Sequence, residues 1–299
     1  MIKIVDNYKD ANCITHSGNF HADEVFATAF LHLYKKDLKI FRVPEVDWDK
    51  VSDNTLVYDI GRGEFDHHQS DAEVRENKIP YSSIGLVWKK FGRAYLEDLG
   101  YDDIEEIFTG VDKDLIEAID GDDNGVFPKI DAPYKTKTVS NIVKLFNPGY
   151  ASGEDESTQF LKVVEVAEKI IEEEIIYIKG KIKAEKKIKE ILSNIDMNSK
   201  YLILDEFIPY EDTLLSIPNN ILYVGYPSNR GGYAIKAVPV SNNDKTLRLP
   251  FPMEWAGLIN EELEEVAGIK GLTFCHNSRF IMTCKSIDAL KEVLDKLCK

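Results

Sequence analysis

A chain of 299 residues, 43% hydrophobic and 30% charged, has a globular composition and exceeds the usual size of one domain, so two domains of roughly 150 residues are expected. No stretch approaches the ~18 apolar residues of a membrane-spanning helix. The N-terminus MIKIVDNYKD shows neither a secretory signal nor a transit peptide, which makes the cytoplasm the expected compartment. A net charge of −15 excludes nucleic-acid binding through a broad basic face, but not a nuclease whose divalent cations bring positive charge to phosphate.

Residues 12–15 read as a short strand ending at His16, and residues 23–35 as a helix with Val25, Phe26, Ala29, Phe30 and Leu33 at helical spacing. The connection THSGNFHADE carries His16, His21 and Asp23. Residues 39–43 and 56–60 follow as short apolar strands, the second delivering Asp59 towards its C-terminal end. Such alternation predicts an α/β fold with a mostly parallel sheet covered by helices on both faces, in which ligands collect at the carboxyl ends of strands. Asp66-His67-His68 comes next, in LVYDIGRGEFDHHQS.

Helices are expected over residues 82–99, 104–119 and 139–145, with a carboxylate-rich turn around Asp120, Asp122 and Asp123 closing the second. Residues 154–194 lack proline, are rich in Glu and Lys, and read as one or two long helices, with Gly180 as the place for a bend. Their apolar spacing drifts from strict heptads, which favours a bridging helix over a coiled-coil dimer seam and leaves the oligomeric state open. Strands are expected over 201–204, 221–226, 233–238, 273–275 and 280–283, and a last helix over 287–297. The parse is a first domain over 1–150, a linking helical segment over 151–195 and a smaller C-terminal α/β domain over 196–299, with the cleft between domains as the expected ligand site. Four cysteines without CxxC spacing are expected to be reduced and packed.

Imidazole and carboxylate together are the ligand set of Mn, Fe, Co or Zn, and the lack of cysteine leans away from structural zinc. His16, His21, Asp23, Asp59, His67 and one acid from residues 120–123 are enough for two ions, which together can activate water and stabilise displacement at phosphorus. In the second domain Arg230, Lys236, Arg248, His276 and Arg279 are the cations placed to meet phosphate.

The segments Thr15-His16-x-Gly18-x-Phe20-His21-x-Asp23-Glu24, Val57-x-Asp59-x-Gly61, Phe65-Asp66-His67-His68-Gln69, Ser82-Ser83-x-Gly85 and Asp120-x-x-Asp123-Asn124-Gly125, continued by Glu254-Trp255-x-Gly257-Leu258 and Phe274-x-His276, carry a resemblance. They resemble the family once labelled metal-dependent protein hydrolases, which includes the melanocyte-proliferating-gene exonuclease and is similar to the wider DHH phosphoesterases. The resemblance covers almost the whole chain. It implies a two-domain DHH-like fold in which His16, His21 and Asp59 hold one metal. Asp59 then bridges to a second ion held also by Asp23, His67 and Asp120, with Asp123 competing for that last role. His68 would face substrate phosphate as a catalytic group beside Asp59, while the residues themselves leave Asp66 either as a metal ligand or, more in keeping with its neighbours, as the group that orients a histidine. His21 stands where many DHH enzymes have aspartate, and Asn277 and Arg279 stand where glycine and small residues would follow His276.

The expected activity is that of a Mn-dependent phosphoesterase with two ions, an exonuclease acting on RNA or short oligonucleotides. A hydrolase of small phosphate compounds, such as pyrophosphate or a nucleoside bisphosphate, is the first alternative. A metal-binding regulatory protein without turnover is the second. Peptide hydrolysis has no support, since neither HExxH nor a nucleophile elbow is present.

Overall fold

Four short strands, each too short to be stable alone, are held together by a buried helix and pair only in parallel. These are β1 (Ile2–Ile4), β2 (Cys13–His16), β3 (Leu38–Val43) and β4 (Leu56–Val57), in the order β1-β3-β2-β4. Helix α1 (Ala22–Lys35) links β2 to β3, and the chain then crosses to the far side of β2 to form β4. The direction of winding therefore reverses at β2, and a crevice at a switch of this kind opens beyond the carboxyl end of the strand, where His16 stands. A computed structural model describes residues 1–299, which fall into two units, Met1–Lys179 and Gly180–Lys299.

In the first unit, α2 (Ser83–Asp98), α3 (Ile104–Val111), α4 (Glu117–Asp123) and α5 (Val139–Val143) follow the sheet, and α6 (Glu156–Asn194) begins there. Residues 22–31 of α1 are all buried, as expected for a helix with apolar side chains on most of its circumference. Phe30 meets Trp88 edge-on at 5.0 Å, and Trp88 stacks on Phe108 at 5.4 Å, which ties α1, α2 and α3 into one core. The expected helix over 104–119 is broken by a π-helical turn, Asp112–Ile116, whose first residue pairs with Arg75. The strand expected over 56–60 stops after Val57, because Asp59 takes a left-handed conformation with φ 56°. The three-residue β1 carries too little pattern to be legible in the sequence.

The second unit carries β5 (Tyr201–Ile203), α7 (Glu211–Ser216), β6 (Tyr223–Pro227), β7 (Tyr233–Ala237), α8 (Asn260–Ala267), β8 (Leu272–Cys275), β9 (Ile281–Cys284) and α9 (Ile287–Leu297). Its sheet runs β5-β6-β7-β9-β8, with β5 parallel to β6 and every other pairing antiparallel. Alternation along β6 sends Tyr223 into a core with Met282, Leu290 and Val293, and Val224 into another with Leu204, Leu214 and Ile188. Ile188 and Ala184, from the part of α6 that falls in the second unit, belong to the latter core. The helix is continuous through Gly180. All four cysteines are free thiols, and Cys13, Cys275 and Cys284 are buried.

Gly225 on β6 faces α9 closely: a Cβ there would stand 2.8 Å from Leu290 Cδ1. Gly225→Ala is expected to destabilise the second unit by about 1–3 kcal/mol through overpacking, read as a lower denaturation midpoint. An unchanged midpoint would show that α9 yields freely.

Candidate metal centre

The carboxyl ends of β2 and β4 and the start of α1 converge on one polar cluster. His16 ends β2, its Nδ1 lies 3.1 Å from the Ser17 carbonyl, and its Nε2 faces Glu24 Oε1 at 2.9 Å and Asp59 Oδ2 at 3.2 Å. Nδ1–H donation to that carbonyl leaves Nε2 as the inward atom. His67 repeats the arrangement: Nδ1 lies 3.3 Å from Asn124 Oδ1, while Nε2 is 3.1 Å from Asp123, 3.3 Å from Asp59 and 3.7 Å from Asp23. An imidazole held through one nitrogen, with the other aimed at carboxylates, is oriented as metal-ligating histidines are. Asn124 is itself fixed, donating to the Asp120 carbonyl at 2.8 Å.

Candidate ligand atoms fall into three groups: His16, His21, Glu24 and Asp59; Asp59, His67 and His68; and His21, Asp23 and Asp123. Asp59 and His21 each belong to two of them, and Asp59 has the two carboxylate oxygens with which one residue can bridge a pair of ions. Its positive φ is tolerated better by aspartate than by most residues, and strain of this kind persists where the surroundings enforce it. His68 Nδ1–H donates to Asp66 Oδ1 at 2.6 Å, and Asp66 also accepts from the backbone amides of Arg62, His67 and His68. Asp66 thus contacts His68 through its ring and both histidines through their backbone amides.

Two placements differ from the sequence reading. Asp120, expected among the ligands, is fully buried in a different contact set: Oδ1 accepts from Ser82 Oγ at 2.5 Å and from the Gly85 amide, and Oδ2 pairs with Arg75 Nη1 at 2.6 Å. Asp123, one turn further along α4, faces His67 instead. Glu24 joins His16, although its place three residues after His21 marks it as a helix-capping glutamate. It fills both roles, Oε2 accepting from the His21 amide at 2.8 Å while Oε1 enters the cluster. Arg42 was also not singled out; it donates to the carbonyls of His16 and Gly18 and pairs with Glu156, clamping the loop between β2 and α1.

The electrostatics follow from burial. Asp23, Glu24 and Asp59 are buried together with few opposing charges. Burial, reinforced by the neighbouring Asp59 and Asp123, raises Asp23 well above the ordinary carboxylate range. Burial likewise raises Glu24, against the pull of His16. Burial opposes the charged forms of His16 and His67, but hydrogen bonds and charge from Asp59 with Glu24, and from Asp123 with Asp59, push both up to about 10. Asp59, despite its burial, is held well below its usual range by the two histidines. Protonated in this way, the two imidazoles would place positive charge where cations would sit. Asp23 Oδ1, Asp59 Oδ1 and His67 Nε2 are buried without a well-aligned hydrogen-bond partner, and such orphans among mixed nitrogen and oxygen donors fit divalent transition-metal ions. Beside the cluster lies a cavity of about 520 Å³, bordered by His21, His67, His68, Asp123, Phe127 and Lys144.

The cations expected to meet phosphate in the second unit are dispersed. Lys236 pairs with Glu211 at 2.5 Å, and Arg248 donates to Asn219 and to the Ile221 carbonyl, so both have structural partners. His276 and Arg279 share the turn between β8 and β9, where Arg279 also donates to the Phe251 carbonyl. Arg230 is exposed in the turn between β6 and β7.

A model of the MYG1 exonuclease family, described as an uncharacterised protein family (UPF0160), matches residues 12–296. A MYG1 protein of Dictyostelium discoideum is 31% identical over 303 residues, covering 91% of this chain and 92% of its own length. The MYG1 exonuclease of Homo sapiens is 29% identical, over 89% of this chain and 80% of its own length. A MYG1 protein of Chlamydia trachomatis is 26% identical, over 95% and 96% respectively.

A histidine pKa raised by folding stabilises the folded state fully below the unfolded value of ~6.5, and that stability is lost as pH rises through the folded value. Metal-free protein is therefore expected to melt at progressively lower temperature as pH rises from near neutrality towards about 10. Added Mn²⁺ should flatten this dependence and release protons on binding, measurable by calorimetry in buffers of different ionisation enthalpy. Binding at neutral pH without proton release would contradict the assigned protonation.

Proposed function

The chain belongs to the MYG1 exonuclease family, and from that premise we propose that it is a metal-dependent phosphoesterase of DHH type, an exonuclease acting on RNA or short oligonucleotides in the cytoplasm. The observation that carries the proposal is the position of Asp59, common to two groups of candidate ligands at the switch point of a parallel sheet. His16, His21, Glu24 and Asp59 would hold one ion, and Asp59, His67, Asp23 and Asp123 a second, with manganese suited to this mixture of imidazole and carboxylate. When bound, the ions supply Lewis-acid stabilisation of charge at phosphorus and a lowered pKa for the attacking water.

The remaining work falls to this chain's own side chains. His68 borders the cavity with its side chain 60% exposed, and Asp66 engages its Nδ1, so that Nε2 would be the atom to meet a phosphate oxygen, as a donor when the ring is an imidazolium. Asn124 and the Ser17 carbonyl hold the tautomers of His67 and His16, keeping both Nε2 atoms turned inward. Arg42 and Glu156 keep the loop bearing His16 and Gly18 in place. The cavity volume falls within the ~300–1,000 Å³ usual for small-molecule sites and so suits one nucleotide at a time. Hydrolysis of a small phosphate compound is the second reading, favoured by the net charge of −15. The cavity open beside the cluster favours turnover over a purely regulatory metal site.

Purified protein with Mn²⁺ is expected to shorten labelled single strands, and Asp59→Ala or His67→Ala to lower the rate by at least about a hundredfold, the upper range for disrupting a metal-orienting contact. Unchanged activity in both variants would sink the mechanism, and phosphate release from small compounds without strand shortening would select the second reading. Asp123→Asn should raise the Mn²⁺ concentration needed for activity, whereas Asp120→Asn should chiefly lower the melting temperature by weakening the Arg75 pair. The reverse pattern would return Asp120 to the ligand set.

A further inference from the structure

Val126 to Tyr150 departs from the rest of this acidic chain. Lys129, Lys135, Lys137 and Lys144 share it with a single acid, Asp131, in a protein of net charge −15. All four lysines are exposed and none is engaged in an ion pair. Large apolar side chains are interleaved with them and equally exposed: Phe127 at 68%, Tyr134 at 72%, with Ile130, Leu145 and Tyr150 beyond. Residues 126–138 form no helix or strand, and irregular connections longer than about 12–15 residues inside a domain are uncommon and usually functional.

The position of the segment adds a second constraint. It leaves the end of α4 directly after Asp123 and Asn124, and its Phe127 and Lys144 border the same cavity as His67 and His68. Lys129, Lys135 and Lys137 do not border that cavity, so a ligand confined to it would leave them unused. Cations interleaved with exposed rings, continuing outward from a phosphate-sized site, match an anionic polymer with flat, stackable groups. We propose that residues 126–150 are the binding track for single-stranded nucleic acid, with Phe127 and Tyr134 stacking bases and the lysines meeting successive phosphates on the way to the metal centre. This rests on the phosphoesterase reading and extends it by favouring a polymer over a small phosphate compound.

The test separates strand binding from chemistry. Full-length protein, with a chelator present so that no strand is cut, is titrated against a fluorescein-labelled oligouridylate about a dozen nucleotides long, while hydrolysis of bis(p-nitrophenyl) phosphate is measured separately with Mn²⁺. The triple variant Lys129→Gln, Lys135→Gln, Lys137→Gln should bind the strand at least tenfold more weakly at low salt and flatten the slope of log affinity against log salt by about 2, since each single-strand phosphate contact contributes ~0.7. Tyr134→Ala should weaken binding about fivefold without changing that slope, because a stacking contact releases no counterion. Both variants should hydrolyse the small diester at the parent rate.

Unchanged strand affinity in both variants overturns the proposal. So does an equal loss of small-diester hydrolysis, which would assign the segment to the fabric of the site. A parent dimer that becomes monomeric in the triple variant with strand affinity intact also overturns it, since the segment would then cover a second copy of the chain. Strand binding that follows the expected pattern in a protein that hydrolyses no phosphodiester supports the track and overturns only the catalytic reading.

Discussion

The first unit is organised around a conflict of charge. Three buried carboxylates, Asp23, Glu24 and Asp59, meet at the end of a parallel sheet, and the two imidazoles facing them, even when both are protonated, offset only two of the three charges. Burying ionised groups together costs several kcal/mol per ion unless an equally close opposite charge compensates. Most neighbouring features reduce that cost without removing it. The start of α1 directs its positive dipole end towards Asp23 and Glu24, Asp66 fixes the histidine pair through backbone amides, and Arg42 braces the loop above. A divalent ion removes the conflict outright, which is why the arrangement reads as a site and not as a core.

A second layer of charge lies behind the first. Arg75 stacks on Tyr81 with 3.9 Å between its guanidinium carbon and the ring centroid, and pairs with both Asp112 and Asp120. Ser82 and Gly85 complete the contacts of Asp120, and a Cβ on Gly85 would lie 2.0 Å from its carboxylate. Burial pushes Asp120 up to about 6 while Arg75 and Ser82 pull it down. Held by these contacts, Asp120 anchors the end of α4, from which Asp123 and Asn124 face His67. The two aspartates divide the labour of holding and facing.

How much of this the sequence disclosed depended on the range of the interaction. His16, His21, Asp23, Asp59 and His67 were legible because imidazoles are scarce and because both His16 and Asp59 fall near predicted strand ends. Asp120 and Asp123 could not be separated, since the choice depends on Arg75, some 45 residues earlier in the chain, and on a π-helical turn that no local pattern announces. Glu24 follows His21 at the spacing of a helix-capping glutamate, and only the fold shows its second oxygen entering the cluster. Long amphipathic elements such as α2 and α6 were recovered within a few residues, whereas β1, α7 and α8 are too short for periodicity to register. The cations of the second unit show the same limit: charge is visible in sequence, but whether Lys236 is free or already held by Glu211 is not.

Glu24 divides its carboxylate between a backbone amide and the cluster, so an ion held at the centre would also bear on the beginning of α1. Metal affinity would then be partly folding free energy of the first helical turn. That shared carboxylate would make the closing of the N-terminal helix and the filling of the centre mutually reinforcing.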